Sequence, residues 1–261
     1  MVPTSEFIDS FEMKDGKSFS WKTNGADPYK DRDSRFYASI LFNGASWEDR
    51  TIETYEGGTD GIQKFSHAES ASATVTGYYL KKYITENVHT WEIEGSSHFD
   101  ILLRYAEVLL NKAEALAMKG DIAGALVALN EVRARAGQPG KTMTDLNAVT
   151  EDEKELMRDK NLSMDQKKMM KLIERERVVE LGGEGFRYWD LRRWRRSMDV
   201  LNATNAHGCW ITKNSDGSFK YEQINVDGTD KRIFKDKYYA FSIPLSERTK
   251  NKEFGENNPG W

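Results

Sequence analysis

Apolar and polar positions follow helical spacing most regularly between Asp100 and Gly137. Two consecutive runs there place an apolar residue every three or four positions, as on one face of an α-helix. The apolar positions are Leu102, Tyr105, Ala106, Leu109, Ala113 and Leu116 in the first run and Ala125, Leu126, Leu129 and Val132 in the second. Between the runs, Gly120 can adopt the left-handed conformation that ends a helix, and Asp121 can cap the next one. The pattern predicts two antiparallel helices over residues 100–136, a hairpin like that of a tetratricopeptide repeat.

Two further helices are predicted after this hairpin. Ser163 and Gln166 have the spacing of a capping box, so a helix is expected over residues 163–182, where a pair of glycines ends it. Another helix is expected over residues 186–201.

Strands are predicted only as short segments. In the first part of the chain the candidates are Phe36–Leu41, Thr51–Tyr55 and Tyr78–Ile84. In the last part, two Asp-Gly pairs at 216–217 and 227–228 have the composition of hairpin turns. The strands next to these turns would be Trp210–Lys213, Phe219–Val226 and Arg232–Phe234.

These elements predict one domain over residues 1–261, because no segment has the composition of a linker. Residues 1–99 are rich in Gly, Ser, Asp and aromatic residues and are expected to form a loop-rich face. Residues 100–201 are the expected helical scaffold, and residues 202–261 the hairpins and a C-terminal tail pinned by Trp261. The predicted fold class is mainly α, with tetratricopeptide-like helical hairpins, a loop-rich face and small β-hairpins.

Composition and motif content exclude several classes of function. The formal net charge of −4 argues against nucleic acid as a general partner, which needs a basic surface. The single cysteine, Cys209, excludes an internal disulfide, and no apolar run is long enough to cross a membrane. The histidines His67, His89, His98 and His207 lack metal-ligand spacing. No known catalytic or nucleotide-binding motif occurs, so neither catalytic residues, nor a metal, nor a cofactor is predicted.

The basic run at 192–196, Arg-Arg-Trp-Arg-Arg, has two interpretations. It resembles a polyanion-binding patch, but the preceding helix carries a matching set of carboxylates. These are Glu174, Glu176, Glu180 and Glu184. Ion pairs between the two helices are the favoured interpretation, and most of them are expected to be exposed and weak. Such an arginine-rich setting lowers carboxyl pKa values, which disfavours a glycoside hydrolase, since that enzyme needs one carboxyl kept protonated.

The first part of the chain also holds the candidate ligand-binding residues. Several aromatic residues lie there in glycine-rich and polar sequence, where no helical core requires them. A flat ring can stack on the apolar face of a sugar while neighbouring polar groups bind its hydroxyls. The predicted site residues are Trp21, Tyr37, Asn43, Trp47 and Tyr55. The alternative is that these rings anchor long loops to the scaffold.

Six segments, in order along the chain, resemble the SusD/RagB family of surface nutrient-binding lipoproteins. They are PTSEFIDSFEMKDG at 3–16, DRDSRFYASILFNGASW at 31–47, TGYYLKKYI at 76–84, RYAEVLLNKAEAL with ALVALNEVRARAG within 100–137, IERERVVELGGEGFRYWDLRRW at 173–194, and YYAFSIPLSER with ENNPGW within 238–261. The resemblance covers the C-terminal portion of a usual member. The start of the sequence, MVPTSEFIDS, lacks the charged and apolar regions of a signal peptide, so the family's targeting segment and lipid anchor are expected on a part upstream of this chain.

The resemblance implies a non-enzymatic protein on the outward-facing surface of the outer membrane. It would bind oligosaccharides, or peptides, and deliver them to a SusC-like TonB-dependent transporter, with membrane attachment only through the lipid anchor. This fragment itself is expected to be soluble. A competing hypothesis is a helical-repeat adaptor for a protein partner. An adaptor would bind its partner on the concave face of the helices, whereas a SusD-like protein would bind its ligand on the loop-rich face.

Overall fold

Helices form the centre of the molecule and loops with very short strands surround them. The computed structural model describes residues 2–62, 73–86, 101–150, 159–202, 205–228 and 232–261. Trp91, an aromatic residue of the predicted loop-rich face, lies outside these residues, as do His67, His89 and His98.

The described helices and strands are as follows. The helices are α1 (Ser5–Ser10), α2 (Trp21–Asn24), α3 (Ser34–Ser39), α4 (Tyr105–Lys119), α5 (Ile122–Arg135), α6 (Met143–Asn147), α7 (Met164–Glu180), α8 (Phe186–Arg193), α9 (Ser197–Leu201) and α10 (Leu245–Lys250). Short 3-10 helices lie at Asp236–Tyr239 and Lys252–Phe254. The strands are β1 (Ile40–Leu41), β2 (Ser46–Trp47), β3 (Arg50–Thr51), β4 (Tyr79–Leu80), β5 (His207–Lys213) and β6 (Phe219–Asn225).

The predicted helical hairpin is confirmed in α4 and α5. Gly120 lies between them with φ 91°, a conformation that glycine adopts without strain. The Asp121 carboxylate then accepts a hydrogen bond from the Gly124 N–H and caps α5. Alanines on the facing sides of both helices are fully buried, which lets the helices approach closely.

The start of this hairpin differs from the prediction. Helix α4 begins at Tyr105, so Leu102 lies outside it and is 90% exposed. Tyr105 is also exposed. The residue before the helix, Arg104, is extended and donates to the carboxylates of Glu180 and Glu184. This contact fixes Arg104 against the C-terminal end of α7 and leaves the two apolar residues outside the helix seam.

Helix α7 packs against both helices of the hairpin and completes the main hydrophobic core. Ser163 and Gln166 form the predicted capping box at its start. Its apolar side contributes Met169, Met170 and Ile173, all fully buried.

The predicted helix over residues 186–201 is instead two helices, α8 and α9. Arg195, between them, has φ 56°, which is left-handed. Trp194 and Arg196 are both buried, while Arg195 is exposed. In a continuous helix, residues two positions apart point to nearly opposite sides. The break therefore allows both flanking side chains to be buried.

The short strands of the first part also differ from the predictions. Most of the segment predicted as a strand at Phe36–Leu41 is helix α3, because the Asp33 carboxylate accepts from the Arg35 N–H and caps a helical turn. Only its end is extended, as β1, which pairs antiparallel with β4. Strand β3 pairs antiparallel with β2 and is shorter than predicted, as is β4.

The hairpin around 216–217 is confirmed. Strands β5 and β6 pair antiparallel from His207 opposite Asn225 to Lys213 opposite Phe219, and Gly217 in the turn has φ 85°. The strand predicted at Arg232–Phe234 is absent, and the described chain continues into a 3-10 helix. The Trp261 indole donates to the carbonyls of Lys237 and Ala240 at 3.1 and 3.0 Å, so it pins the tail as predicted.

A second hydrophobic core joins the loop-rich part to the scaffold. Helix α1 contacts both α7 and β5, and it is the element through which the first residues of the chain attach. The buried residues of this core are Ile8, Phe11, Tyr29, Phe36, Ile40, Tyr78, Val179, Cys209 and Ile211. The β5–β6 hairpin is thereby brought beside residues 29–55, where most of the candidate site residues lie.

Candidate functional site

A continuous row of aromatic rings lies where residues 29–55 meet the β5–β6 hairpin. Consecutive ring centroids are 4.6 to 6.4 Å apart. We call this row the aromatic strip; in order, its members are Tyr37, Phe42, Tyr29, Tyr221, Phe219 and Tyr55. Two of the predicted site residues, Tyr37 and Tyr55, are its ends.

The elements around the strip explain why these rings come together. Tyr37 lies on α3, and Phe42 follows β1 directly. Phe219 and Tyr221 are two positions apart on β6, so both rings point to the same side of the hairpin. The second hydrophobic core then holds α3 and β6 against each other.

Hydrogen bonds fix the Tyr37 end of the strip. The Tyr37 hydroxyl donates to the carbonyl of Tyr29 at 2.7 Å and accepts from the N–H of Arg32 at 3.0 Å. Tyr29 is 6% exposed and forms the floor, whereas Tyr37 is 39% exposed. The other rings of the strip are half-buried. The strip thus offers rigid rings with part of their surface open to solvent.

Asn43 is a buried residue that supports the same strip through a hydrogen bond. Only 5% of it is exposed, and its side chain hydrogen-bonds Tyr221. Partial burial raises the pKa of the Tyr221 hydroxyl, with a smaller contribution from the nearby charge of Asp27. Burial likewise raises the pKa of Tyr29 well above its ordinary value. Both phenols therefore stay neutral at physiological pH and can hydrogen-bond as donor or acceptor.

A charged group contacts one end of the strip. The Lys213 ammonium lies 5.0 Å from the centroid of the Tyr55 ring. The strip therefore has a cation at its Tyr55 end.

The structure places Trp21 and Trp47 outside the strip. The Trp21 indole is half-buried and donates to Asp9 Oδ2 at 2.9 Å. Trp47 is 8% exposed and packs against Leu41 and Ile52. Both rings pack as loop anchors, which is the alternative role considered for them. Their contact with a ligand stays a prediction.

The predicted site residues did not include four rings of the strip, which are Tyr29, Phe42, Phe219 and Tyr221. The alternation Phe-Lys-Tyr after an Asp-Gly turn predicts a strand with both rings on one face. It does not predict that this face meets Tyr29, which is 192 positions away from Tyr221 along the chain.

An open depression of about 720 Å³ lies next to α2. Its lining is Met13, Lys14, Asp15, Lys17, Ser18, Thr23, Asn24 and Asp31. No aromatic ring lines it, and Lys17 pairs with Asp15 inside it at 2.6 Å. It lacks the flat apolar surface that a sugar ring needs, and the aromatic strip is the better candidate.

The ion pairs predicted between the charged helices are confirmed. Arg187 and Arg196 contact Glu174 of α7 at 2.9 and 3.1 Å. Arg193 pairs with Asp190 of its own helix at 2.8 Å. Arg192 differs, because its guanidinium donates to the carbonyls of Tyr238 and Tyr239 instead.

The expectation that these pairs are mostly exposed was wrong. Three of the four glutamates, Glu174, Glu176 and Glu180, are buried. Burial by itself raises the pKa of Glu174, but Arg187 and Arg196 outweigh it and lower that pKa below the ordinary value. The same balance, set by Arg104, lowers the pKa of Glu184. Neither carboxyl has the raised pKa of a general acid.

Within the described ranges, no group of His, Cys, Asp and Glu side chains is arranged to hold a metal ion. Among the same residues, no helix combines the length and apolar character needed to cross a membrane.

Fold and site together define a class: a helical-hairpin scaffold that presents a loop-borne aromatic surface. The sequence model of the SusD family matches residues 1–261, and the chain belongs to this family.

A SusD-like protein of Formosa agariphila is 34% identical over 108 residues, which are 40% of this chain and 19% of that relative. Two crystal structures from Bacteroides fragilis NCTC 9343 are also similar. A SusD-like protein matches with a TM-score of 0.72 and 28% identity over 100% of this chain and 47% of its own. A SusD-like carbohydrate-binding protein matches with a TM-score of 0.69 and 26% identity over 96% of this chain and 47% of its own. The predicted mainly α, SusD-like fold is thus confirmed, and the chain spans about half the length of these structures.

Proposed function

We propose that this chain binds oligosaccharides on the aromatic strip and does not convert them chemically. The observation that carries the proposal is the continuity of the strip: six rings in contact, fixed by the fold and partly open to solvent. The similarity to a SusD-like carbohydrate-binding protein supports the same ligand class.

The physical basis is stacking along a row. Each sugar ring of a chain can lay its apolar C–H face on an aromatic ring, which removes apolar surface from water. The hydroxyls of Tyr221 and Tyr55 can exchange hydrogen bonds with sugar hydroxyls. Because the rings are already held in place, binding orders few protein side chains and loses little entropy.

The position of the strip favours glycan binding over the adaptor hypothesis. Its rings come from loops, α3 and β6, and none comes from α4 or α5, which form the helical hairpin. An adaptor would use the surface of that hairpin instead.

For the longer protein, we infer a role on the outward-facing surface of the outer membrane. By its membership of the SusD family, it would be held there by a lipid anchor and would deliver oligosaccharides to a SusC-like TonB-dependent transporter. Peptides are the second ligand class that the resemblance implies. A pull-down of the transporter with the full-length protein, with and without the lipid anchor, tests the partner directly.

The test of glycan binding uses affinity electrophoresis against soluble polysaccharides, followed by titration calorimetry with oligosaccharides of any that retard the chain. Replacing Tyr55 and Tyr221 together by Ala should weaken binding about thirtyfold, the effect expected from losing two stacked rings of roughly 1 kcal/mol each. Tyr188→Ala is the matched control, because Tyr188 is an exposed tyrosine of α8 outside the strip.

Circular dichroism on both variants separates binding from folding. Unchanged affinity of the double variant, with its fold intact, would move the site away from the strip. An equal loss in Tyr188→Ala would show that the effect is not specific to it.

A further inference from the structure

The charges along the aromatic strip point to a narrower ligand class. Resting on the proposed function, we infer that the Tyr55 end of the strip binds an anionic substituent of the glycan, a carboxylate or a sulfate, through the Lys213 ammonium. The ligands it selects are therefore acidic oligosaccharides.

The position of Lys213 follows from the hairpin register. It is the last residue of β5 and lies directly opposite Phe219, so the two side chains are on the same face. The Tyr55 ring contacts Phe219 with centroids 5.4 Å apart, and the Lys213 ammonium is 5.0 Å from the Tyr55 centroid. A glycan whose terminal sugar stacks on Tyr55 would therefore have a cation beside that sugar.

Among the described residues, no carboxylate oxygen lies within 4 Å of the Lys213 Nζ. Lys220, on the opposite face of the same hairpin, pairs with Glu222 at 2.8 Å. Lys213 is therefore an exposed cation whose contact is the face of an aromatic ring, and an anionic ligand group would complete its environment.

An acidic residue also lies close to this end of the strip. Glu56 is exposed and follows Tyr55 in the chain, and its backbone N–H donates to the carbonyl of Ile211 at 2.8 Å, on the strand that ends at Lys213. Removing the negative charge of Glu56 should therefore strengthen the attraction of this end of the strip for an anion.

The test compares ligands that differ only in charge. Affinity gels and calorimetry would use oligogalacturonate against its methyl ester, and sulfated against unsulfated forms of a galactan, a glucan and a xylan. The acidic form of at least one pair should bind about three- to fivefold tighter at low salt, the range of an exposed ion pair. The preference should shrink when salt is raised.

Variants then show which residues produce the preference for the acidic form. Lys213→Ala should remove the preference for the acidic form, whereas Lys213→Arg should keep it. Glu56→Gln should increase it, and Lys220→Ala is the matched control that should leave it unchanged. If the uronate alone is preferred, the substituent is a carboxylate; if the sulfated form alone is preferred, it is a sulfate ester.

Two results would overturn the inference: equal binding of the acidic and neutral members of every pair, or the same preference in Lys213→Ala. A different result would contradict the proposed function itself, that is, glycan binding on the aromatic strip. In that case the Tyr55 and Tyr221 double variant would still bind both forms as tightly as the unmodified chain.

Discussion

At the scale of single residues, an aromatic side chain can anchor a loop or offer its ring to a ligand, and burial separates the two roles. Trp47 is buried against apolar neighbours, whereas Tyr37 keeps a large part of its ring in solvent. Asn43 has the residue type of a sugar-binding group, but it is buried and hydrogen-bonds Tyr221. The sequence indicates which residue types are available in the loops, but burial depends on contacts with distant segments.

Asp9 is a half-buried carboxyl whose environment disfavours its charged form. Burial raises its pKa from 3.8 to about 6, and the hydrogen bond from Trp21 offsets only part of this. Between about pH 4 and 6 the unfolded chain releases this proton while the folded chain keeps it, so the free energy of unfolding falls as pH rises through that window.

The expected result is that Asp9→Asn raises the free energy of unfolding at pH 7.5 by about 1–3 kcal/mol. The two free energies of unfolding should become nearly equal near pH 4, where residue 9 is uncharged in the folded form of both proteins. Urea unfolding at the two pH values checks this, and a variant less stable than the unmodified chain at pH 7.5 would contradict it.

At the scale of elements, local signals predicted some boundaries and tertiary contacts set the others. Gly120 and Asp121 define the turn between α4 and α5 by their own conformational preferences, so that turn was predictable. The break at Arg195 was not, since it follows from the burial of both Trp194 and Arg196 against other parts of the fold. Helix α3 shows a third case, in which one capping carboxylate makes a helix of a segment with strand-forming residues.

Leu109 tests the seam of the helical hairpin. It is buried on α4 in the main hydrophobic core. Leu109→Ala should lower the free energy of unfolding by about 2–5 kcal/mol, because it removes apolar contacts and leaves a cavity. Val127→Ala is the control, since Val127 is exposed on α5 and should change stability little. Equal effects of the two substitutions in thermal unfolding would show that the seam involves another face of α4.

At the scale of the whole molecule, α7 connects segments that are far apart in sequence through buried charges. Glu180 contacts Arg35, Arg104 and Arg135, at 2.9, 2.5 and 2.6 Å. Glu176 contacts Arg35 and also Arg133. The sequence predicted that these glutamates pair with arginines. It did not predict arginines from the loop-rich part and from the hairpin, because that choice depends on how the layers pack.

The aromatic strip depends on the same long-range assembly. Its rings come from residues 29–55 and from the β5–β6 hairpin, which the second hydrophobic core holds side by side. Two ends of the strip were predicted from residue type and loop context. The order of the rings and the place of Lys213 required the fold.

The buried charges of α7 predict how the whole molecule responds to acid. Burial alone raises the pKa of Glu180, but its arginine partners outweigh this, and its folded pKa lies below 4.5. Glu174 and Glu184 are lowered in the same way. Such groups stabilise the fold above their unfolded pKa, and this contribution is lost as pH falls through the folded value. The free energy of unfolding should therefore fall steeply below about pH 4.5, which urea titrations at pH 7, 5, 4 and 3 would measure.

Glu180→Gln should lower the free energy of unfolding by about 3–5 kcal/mol at pH 7, because it leaves several arginines without their carboxylate, and should make the acid dependence shallower. Glu247→Gln, in an exposed pair with Lys250, is the control and should alter neither. An acid dependence as steep in Glu180→Gln as in the unmodified chain would show that the network around α7 does not control acid stability.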